Sequence, residues 1–295
     1  MMKGIPLVGG LGIALAFILG SLGGLFIFKV ISKEITGILL ASTAMLIFGL
    51  FDDRKELSIK TKFIVQIIAS TILILSGVRT NIIYIGTLAN IAITLIWVIG
   101  ITNAFNHLDI MDGLAAAVAV IVSGVFLAAA LINQDIKSLI LALALLSGVF
   151  SFLIYNLPPA KVYMGNSGSH FLGFVLSAVA IVISYAPMER KIALLSPILI
   201  LGFPIFDTVF VSILRLKKNI LPFKKSNDHL ALLFLRLGFS KNKALGAMLL
   251  LTLSFSLSGL ALMKVSNLSG MILILVIVFV SMVFINRMAK LKVND

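Results

Sequence analysis

Cysteine is absent from the chain, and charge is scarce. Without a single thiol, disulfides and thiolate metal sites are both excluded, and nothing marks the redox compartment. Only 12% of the 295 residues are charged while 60% are hydrophobic, and the mean hydropathy of +1.18 excludes a water-soluble globular domain. No internal repeat stands out. The first apolar run lacks a small-residue cleavage site and is read as a permanent helix. The apolar runs leave no room for a separate soluble domain, so the expectation is an all-α, polytopic membrane protein with one domain over residues 1–295.

Ten spans of membrane-crossing length, roughly 17–25 residues each, can be drawn: Leu11–Ile31, Thr36–Phe51, Lys62–Val78, Thr87–Thr102, Leu114–Ile132, Ile136–Tyr155, His170–Ala186, Ile192–Leu214, Lys243–Met263 and Leu268–Ile285. An even number puts both termini on one side, together with the loops after spans two, four, six and eight. Seventeen of the 24 Lys and Arg fall on that side and seven on the other, which makes it the cytoplasmic face of the plasma membrane. The net charge of +13 is therefore read as loop bias rather than as nucleic-acid binding. Asp207 is the one acid inside a span, and an intramembrane carboxylate is by default functional or paired. Arg215, two turns on, is its nearest basic candidate.

Four cytoplasmic loops hold the chemistry. Phe48–Gln66 sets Asp52 and Asp53 side by side where span two meets water, followed by Lys62 and Gln66 one helical turn apart. Adjacent carboxylates repel unless a cation lies between them, although charged helix ends are also ordinary at an interface. Ile101–Leu114 packs Asn103, Asn106, His107, Asp109 and Asp112 into an oily context. If helical, Asp109 and Asp112 share a face, and oxygen-rich, sulfur-free loops suit a hard cation such as Mg²⁺. His107 reads as a surface histidine. Asn156–Gly173 stops span six at Pro158–Pro159 and then offers glycines at 165, 168 and 173, where backbone N–H groups can approach an anion ahead of a helix start. Such a run is also a common turn. Arg215–Ser240 is long and basic and carries His229; it suits anionic lipid headgroups or a pyrophosphate equally well.

Taken in order, these loops resemble the polyprenyl-phosphate N-acetylhexosamine-1-phosphate transferases, nearly end to end. Pro6 with Gly9–Gly10 is similar to the family's Pro-x-x-Gly-Gly entry, and Asp52–Asp53 to its aspartate pair. Lys62 with Gln66 matches its Lys-x-x-Gln, and Asn103, Asn106, Asp109, Asp112 and Gly113 its Asn-Ala-x-Asn-x-x-Asp-Gly-x-Asp-Gly-Leu. Pro159–Ala160–Lys161, Met164–Gly173, Pro204 with Asp207, and His229–Leu230 match later segments. The chain departs from the pattern at Asn166, where the family has aspartate, at Ala231 and Leu232, where it has histidines, and at Ile110, where it has glycine. The family's usual first helix has no counterpart ahead of Leu11.

The resemblance implies attack by a polyprenyl (undecaprenyl) phosphate on the β-phosphorus of a UDP-N-acetylhexosamine, with release of UMP, as the first membrane step of cell-wall or surface-polysaccharide synthesis. His229–Leu230 leans towards the GlcNAc branch. Mg²⁺, with Mn²⁺ second, would be surrounded by Asp52, Asp53 and Asn166. Asp52 or Asp53 would deprotonate the lipid phosphate, and Asp109, Asp112 and Asn106 would hold nucleotide or metal-bound water. Lys62, His229, Lys224 and Lys225 would offset phosphate charge, and Asn103, Lys161, Gly165 and Ser167 would complete the substrate site. Membrane lipids are expected partners and a homodimer is open. Two other readings stand beside this one: a relative that binds without turnover, on the strength of Asn166, Ala231 and Leu232, and a transporter. The transporter fits less well, because its polar residues belong near the midplane and these acids line one face.

Overall fold

The computed structural model describes residues 5–185, 190–219 and 229–290. Among them there is no strand. In chain order the helices are α1 (Gly9–Phe28), α2 (Lys33–Arg54), α3 (Ile59–Leu75), α4 (Gly86–Leu108), α5 (Leu114–Ile132), α6 (Ile136–Asn156), α7 (Gly165–Val182), α8 (Ser196–Ile200), α9 (Gly202–Lys217), α10 (Leu230–Arg236), α11 (Lys241–Leu262) and α12 (Asn267–Lys290). A short 3₁₀ turn, Lys191–Leu195, leads into α8. Among the described residues, eight helices are long and apolar enough to cross a membrane, or nine if the bent pair Lys191–Ile200 and Gly202–Lys217 is one span. The chain is an all-α, multi-pass membrane protein. The expected third span corresponds to α3, whose 17 residues sit at the short end of membrane-crossing length and stand outside that count.

The chain forms two compact units, Met1–Ser184 and Tyr185–Asp295. In the first, α7 is the central element and packs against α1, α2 and α4. Small residues allow this. A side chain at Gly10 would collide with the Gly168 backbone, and one at Gly49 with the Ser167 backbone. Close backbone approach of this kind drives helix association where lipid removes the hydrophobic incentive. The segment before α1 is tied to the one before α7, with Tyr163 N–H donating to Pro6 O, Gly9 N–H to Tyr163 O and Gly10 N–H to Met164 O.

In the second unit, the span expected to run unbroken from Ile192 to Leu214 bends by 69° between α8 and α9. The cause is local. Pro204 has no N–H to give the carbonyl one turn back, which belongs to Ile200. The Ser256 hydroxyl of α11 takes over that carbonyl at 2.7 Å, so the bend leaves no bare acceptor in an apolar layer. The span expected to start at His170 likewise starts earlier, at Gly165, because a carboxylate from α2 closes its first turn.

Candidate active site

The ends of α2, α4 and α6 and the starts of α3, α5 and α7 meet at one end of the first unit, and the polar residues of three motif loops converge there. Asp53, in the last turn of α2, accepts the Asn166 N–H on Oδ1 at 2.6 Å and the Ser167 N–H on Oδ2 at 3.0 Å. These are early amides of α7, which lack partners within the helix and favour an anion. Gly165 adopts φ +71° beside this carboxylate, where a Cβ would lie 2.7 Å from Asp53 Oδ2.

Asp52 is buried. Its Oδ1 accepts the Leu57 N–H at 2.7 Å and its Oδ2 the Lys62 ammonium at 2.5 Å, so the aspartate pair divides its work: Asp52 holds the α2–α3 connection and Asp53 holds α7. Lys62 and Gln66 lie one turn apart on α3, as expected. Gln66 is fully buried and forms a reciprocal amide pair with Asn103 of α4, at 2.8 Å from Asn103 Nδ2 to Gln66 Oε1 and 3.3 Å in the other direction.

One turn further along α4, Asn106 Nδ2 donates to Ser169 Oγ at 2.9 Å and reaches Asn166 Oδ1 at 3.3 Å. Asn166, the residue standing in the aspartate position, thus faces Asn106. The expected helical pairing of Asp109 with Asp112 is corrected. α4 ends at Leu108, Asp109 is its C-cap, and the two acids lie in the turn before α5. Asp112 Oδ2 accepts the Ala160 N–H at 3.2 Å, tying this turn to the stretch before α7. The Asp109 carboxyl is pushed up to about 7, first by burial and then by the charges of Asp53 and Asp112. Lys161 is exposed at this end.

Two residues outside the expected set complete the cluster. Asn156 links the second and third loops, its Oδ1 accepting the Gly113 N–H at 3.0 Å and its Nδ2 donating to Val162 O at 2.9 Å. Its position just before Pro158–Pro159 is the sequence signal for it. His170 is fully buried, with Nδ1 2.9 Å from Asn166 O. Nothing in its spacing distinguishes it from a lipid-facing position of a span.

His229 and Asp207 belong to the second unit. Asp207, in α9, has its Oδ2 2.9 Å from His229 Nδ1, and its Oδ1 accepts the Leu230 N–H at 3.0 Å; Arg215, its nearest basic candidate by spacing, is buried on the same helix. Ala231 and Leu232 follow in α10. Lys224 and Lys225 lie outside the described residues.

The donor set suits a hard cation. Among the described residues no three His, Asp or Glu groups are placed to hold an ion by themselves, so a cation here would rely on few protein oxygens plus water and phosphate, which is how Mg²⁺ usually binds. The charges of Asp53 and Asp112, which add to burial in raising Asp109, are what such an ion offsets. At the other end of the unit, a cavity of about 460 Å³ is lined by Lys33, Glu34 and Arg79 among others, and none of the motif residues reaches it.

Residues 35–184 match the sequence model of glycosyl transferase family 4. The chain is 31% identical to the probable undecaprenyl-phosphate N-acetylglucosaminyl 1-phosphate transferase of Bacillus subtilis, over 95% of this chain and 80% of that protein. It is 30% identical to the undecaprenyl-phosphate alpha-N-acetylglucosaminyl 1-phosphate transferase of Thermotoga maritima, over 88% and 77%. It is 29% identical to the decaprenyl-phosphate N-acetylglucosaminephosphotransferase of Mycobacterium leprae, over 81% and 68%.

Proposed function

Because the chain belongs to glycosyl transferase family 4, we propose that it transfers N-acetylglucosamine 1-phosphate from UDP-GlcNAc to a polyprenyl phosphate and releases UMP. The observation that carries this reading is the convergence of three separated loops on the start of α7, where Asp53, Asn106 and Asn166 come together.

The reaction forms a bond between a lipid-phosphate oxygen and the β-phosphorus and breaks the bond from that phosphorus to the oxygen bridging to the α-phosphorus. Little covalent work falls to the protein, so alignment and charge offset dominate. The Lys62 ammonium spends one donor on Asp52 and has two more for phosphate oxygens. Each Asp53 oxygen accepts one amide, which leaves lone pairs of the carboxylate for a cation. Asn166 adds a neutral oxygen, and Asp52, being held by Lys62 and Leu57, shapes the site from below. Mg²⁺ held by Asp53 and Asn166, with Mn²⁺ as substitute, would draw charge from the pyrophosphate. A phosphate monoester has its second pKa near 6, so little basicity is needed to free its oxygen. The Asp109 carboxyl, raised first by burial, would take that proton. The site faces the cytoplasm in this reading, in keeping with the bias of Lys and Arg to its side of the membrane.

Purified protein with Mg²⁺, undecaprenyl phosphate and UDP-GlcNAc should release UMP, and Asp53→Asn should abolish release. An unchanged rate in that variant overturns the site assignment. A second reading, binding without turnover, is favoured by Asn166 alone among the site residues. It predicts no UMP from the native chain and recovery on Asn166→Asp combined with Ala231→His and Leu232→His.

A further inference from the structure

At the end of the first unit away from the motif loops, two cavities of about 460 and 310 Å³ share Glu34, Gly77 and Arg79 in their walls, with Lys33 lining the first and Lys137 the second. Helix α2 fixes their depth. Glu34 stands in its first turn and Asp52 and Asp53 in its last, and its 22 residues span about 33 Å, close to the thickness of the hydrocarbon core. The cavities therefore lie at the opposite water boundary from the motif loops. Arg79 is held there from both sides: the Val78 N–H donates to Leu73 O at 2.9 Å, the Thr80 N–H to Thr94 Oγ1 at 3.0 Å and the Thr80 hydroxyl to Asn90 O at 2.9 Å. Asn90 and Thr94 are buried, while the Arg79 side chain is exposed.

The charges around these cavities have both signs and are mostly uncommitted. Among the described residues none of Lys33, Arg79 and Lys137 closes an ion pair. Of the two acids, Asp135 is engaged in capping α6, its Oδ1 accepting the Ser138 N–H at 3.1 Å and its Oδ2 the Ser138 hydroxyl at 2.6 Å. Glu34 instead leans over Gly77, its Oε1 3.6 Å from the point a Cβ there would occupy. Lys33 and Lys137 sit in the first turns of α2 and α6, where a helix favours negative charge, so an anion beside them offsets charge that the fold leaves uncompensated. The wall next to these groups is apolar, with Leu75 71% exposed. A free phosphate gains nothing from such a wall, whereas an acyl chain does.

We propose that the two cavities form a headgroup site for a zwitterionic phospholipid that carries a primary ammonium. Arg79, with Lys33 and Lys137, takes the phosphate, and Glu34 takes the ammonium. A guanidinium matches phosphate oxygens in a two-pronged fashion, and a primary ammonium brings three N–H donors to a carboxylate. A glycerol headgroup gives Glu34 no cation, and a quaternary ammonium gives it no N–H. Charges that merely stand at the headgroup level, as is ordinary for span ends, predict no such preference. The site rests on the multi-pass fold and is independent of the transferase reading.

Delipidated full-length protein in detergent, titrated with phosphatidylethanolamine, phosphatidylcholine or phosphatidylglycerol of identical acyl chains, tests this by native mass spectrometry and melting temperature. Phosphatidylethanolamine should bind about tenfold tighter than the other two, the worth of one charge-assisted hydrogen bond. Arg79→Gln should weaken all three by a similar factor. Glu34→Gln should erase the preference while leaving phosphatidylglycerol binding in place, a reversal of selectivity that loss of folding does not produce. Inorganic phosphate at millimolar concentration should leave the melting temperature unchanged. Equal binding of the three lipids by the native protein overturns the proposal, as does Arg79→Gln with native curves or a preference that survives Glu34→Gln. A rise in melting temperature with inorganic phosphate as large as that with the lipid overturns the lipid as occupant.

Discussion

Asp53 caps α7 from 113 residues away, giving one carboxylate oxygen to the Asn166 N–H and the other to the Ser167 N–H. The acid that the family resemblance marks as a metal neighbour is therefore also the piece that fixes where α7 begins. Site geometry and helix start are one structural fact, and substitutions on either side of it should move both.

Gly165 is the sharpest case. Its φ of +71° and the 2.7 Å approach of a built Cβ to Asp53 Oδ2 leave a side chain no room and no comfortable backbone. Gly165→Ala should cost about 1–3 kcal/mol through backbone strain and displace Asp53. Melting in detergent and UMP release should both drop; a variant with native values in both would show that the cap is loose.

Asp109 sets a pH dependence. Its carboxyl rises from 3.8 to about 7 in the folded chain, so between those values the native state binds a proton that the unfolded state lacks. The stability this contributes is full at the acid end and is lost as pH climbs to about 7. In chelator, Asp109→Asn should melt higher than the native protein at about pH 8 and lose the advantage at about pH 5. Equal melting of both proteins across that window would count against the raised carboxyl.

Asn166→Asp adds a charge beside a cluster already short of cations. In chelator its melting temperature should fall below the native value, and Mg²⁺ should raise it by more than it raises the native protein, since a ligand stabilises by its affinity for the folded state. Thermal shift over a Mg²⁺ series reads this directly, and identical curves would argue against a cation at this position.

The Gln66–Asn103 pair is fully internal on the α3 side. Gln66→Leu takes the donor from Asn103 Oδ1 and leaves Nδ2 with the Ile99 carbonyl alone, at a cost of about 1–3 kcal/mol, whereas Gln66→Leu with Asn103→Leu should recover part of that loss. Chemical denaturation of the single and double variants gives the comparison.

Much of this was legible in the residues. Hydropathy marks the spans, because a membrane helix must be apolar over its full length, and the Lys62–Gln66 spacing matches their shared face on α3. The bend at Pro204 was hidden because composition stays apolar through it; only the missing N–H distinguishes that site. The start of α7 was hidden for another reason. Gly-Asn-Ser-Gly has poor helix propensity, and the capping carboxylate that overrides it comes from α2. Arg215 is the nearest basic candidate for Asp207 by spacing along one helix, and spacing could not show the His229 ring delivered by a later segment. His170 went unread because its ring meets a backbone carbonyl, which leaves no pattern in the chain.

Buried placement also bears on how α7 enters the membrane. It has the lowest mean hydropathy of the eight candidate spans among the described residues, 1.3, and 83% of it is buried, against 3.0 and 11% for the apolar stretch of Asn267–Met288. Lipid alone offers such a segment little reason to stay in the bilayer; its seat is provided by α1, α2 and α4. During synthesis α7 should therefore partition poorly by itself and become committed only once those earlier helices are inserted. Biogenesis of the enzyme would then have a checkpoint at the helix that carries its site.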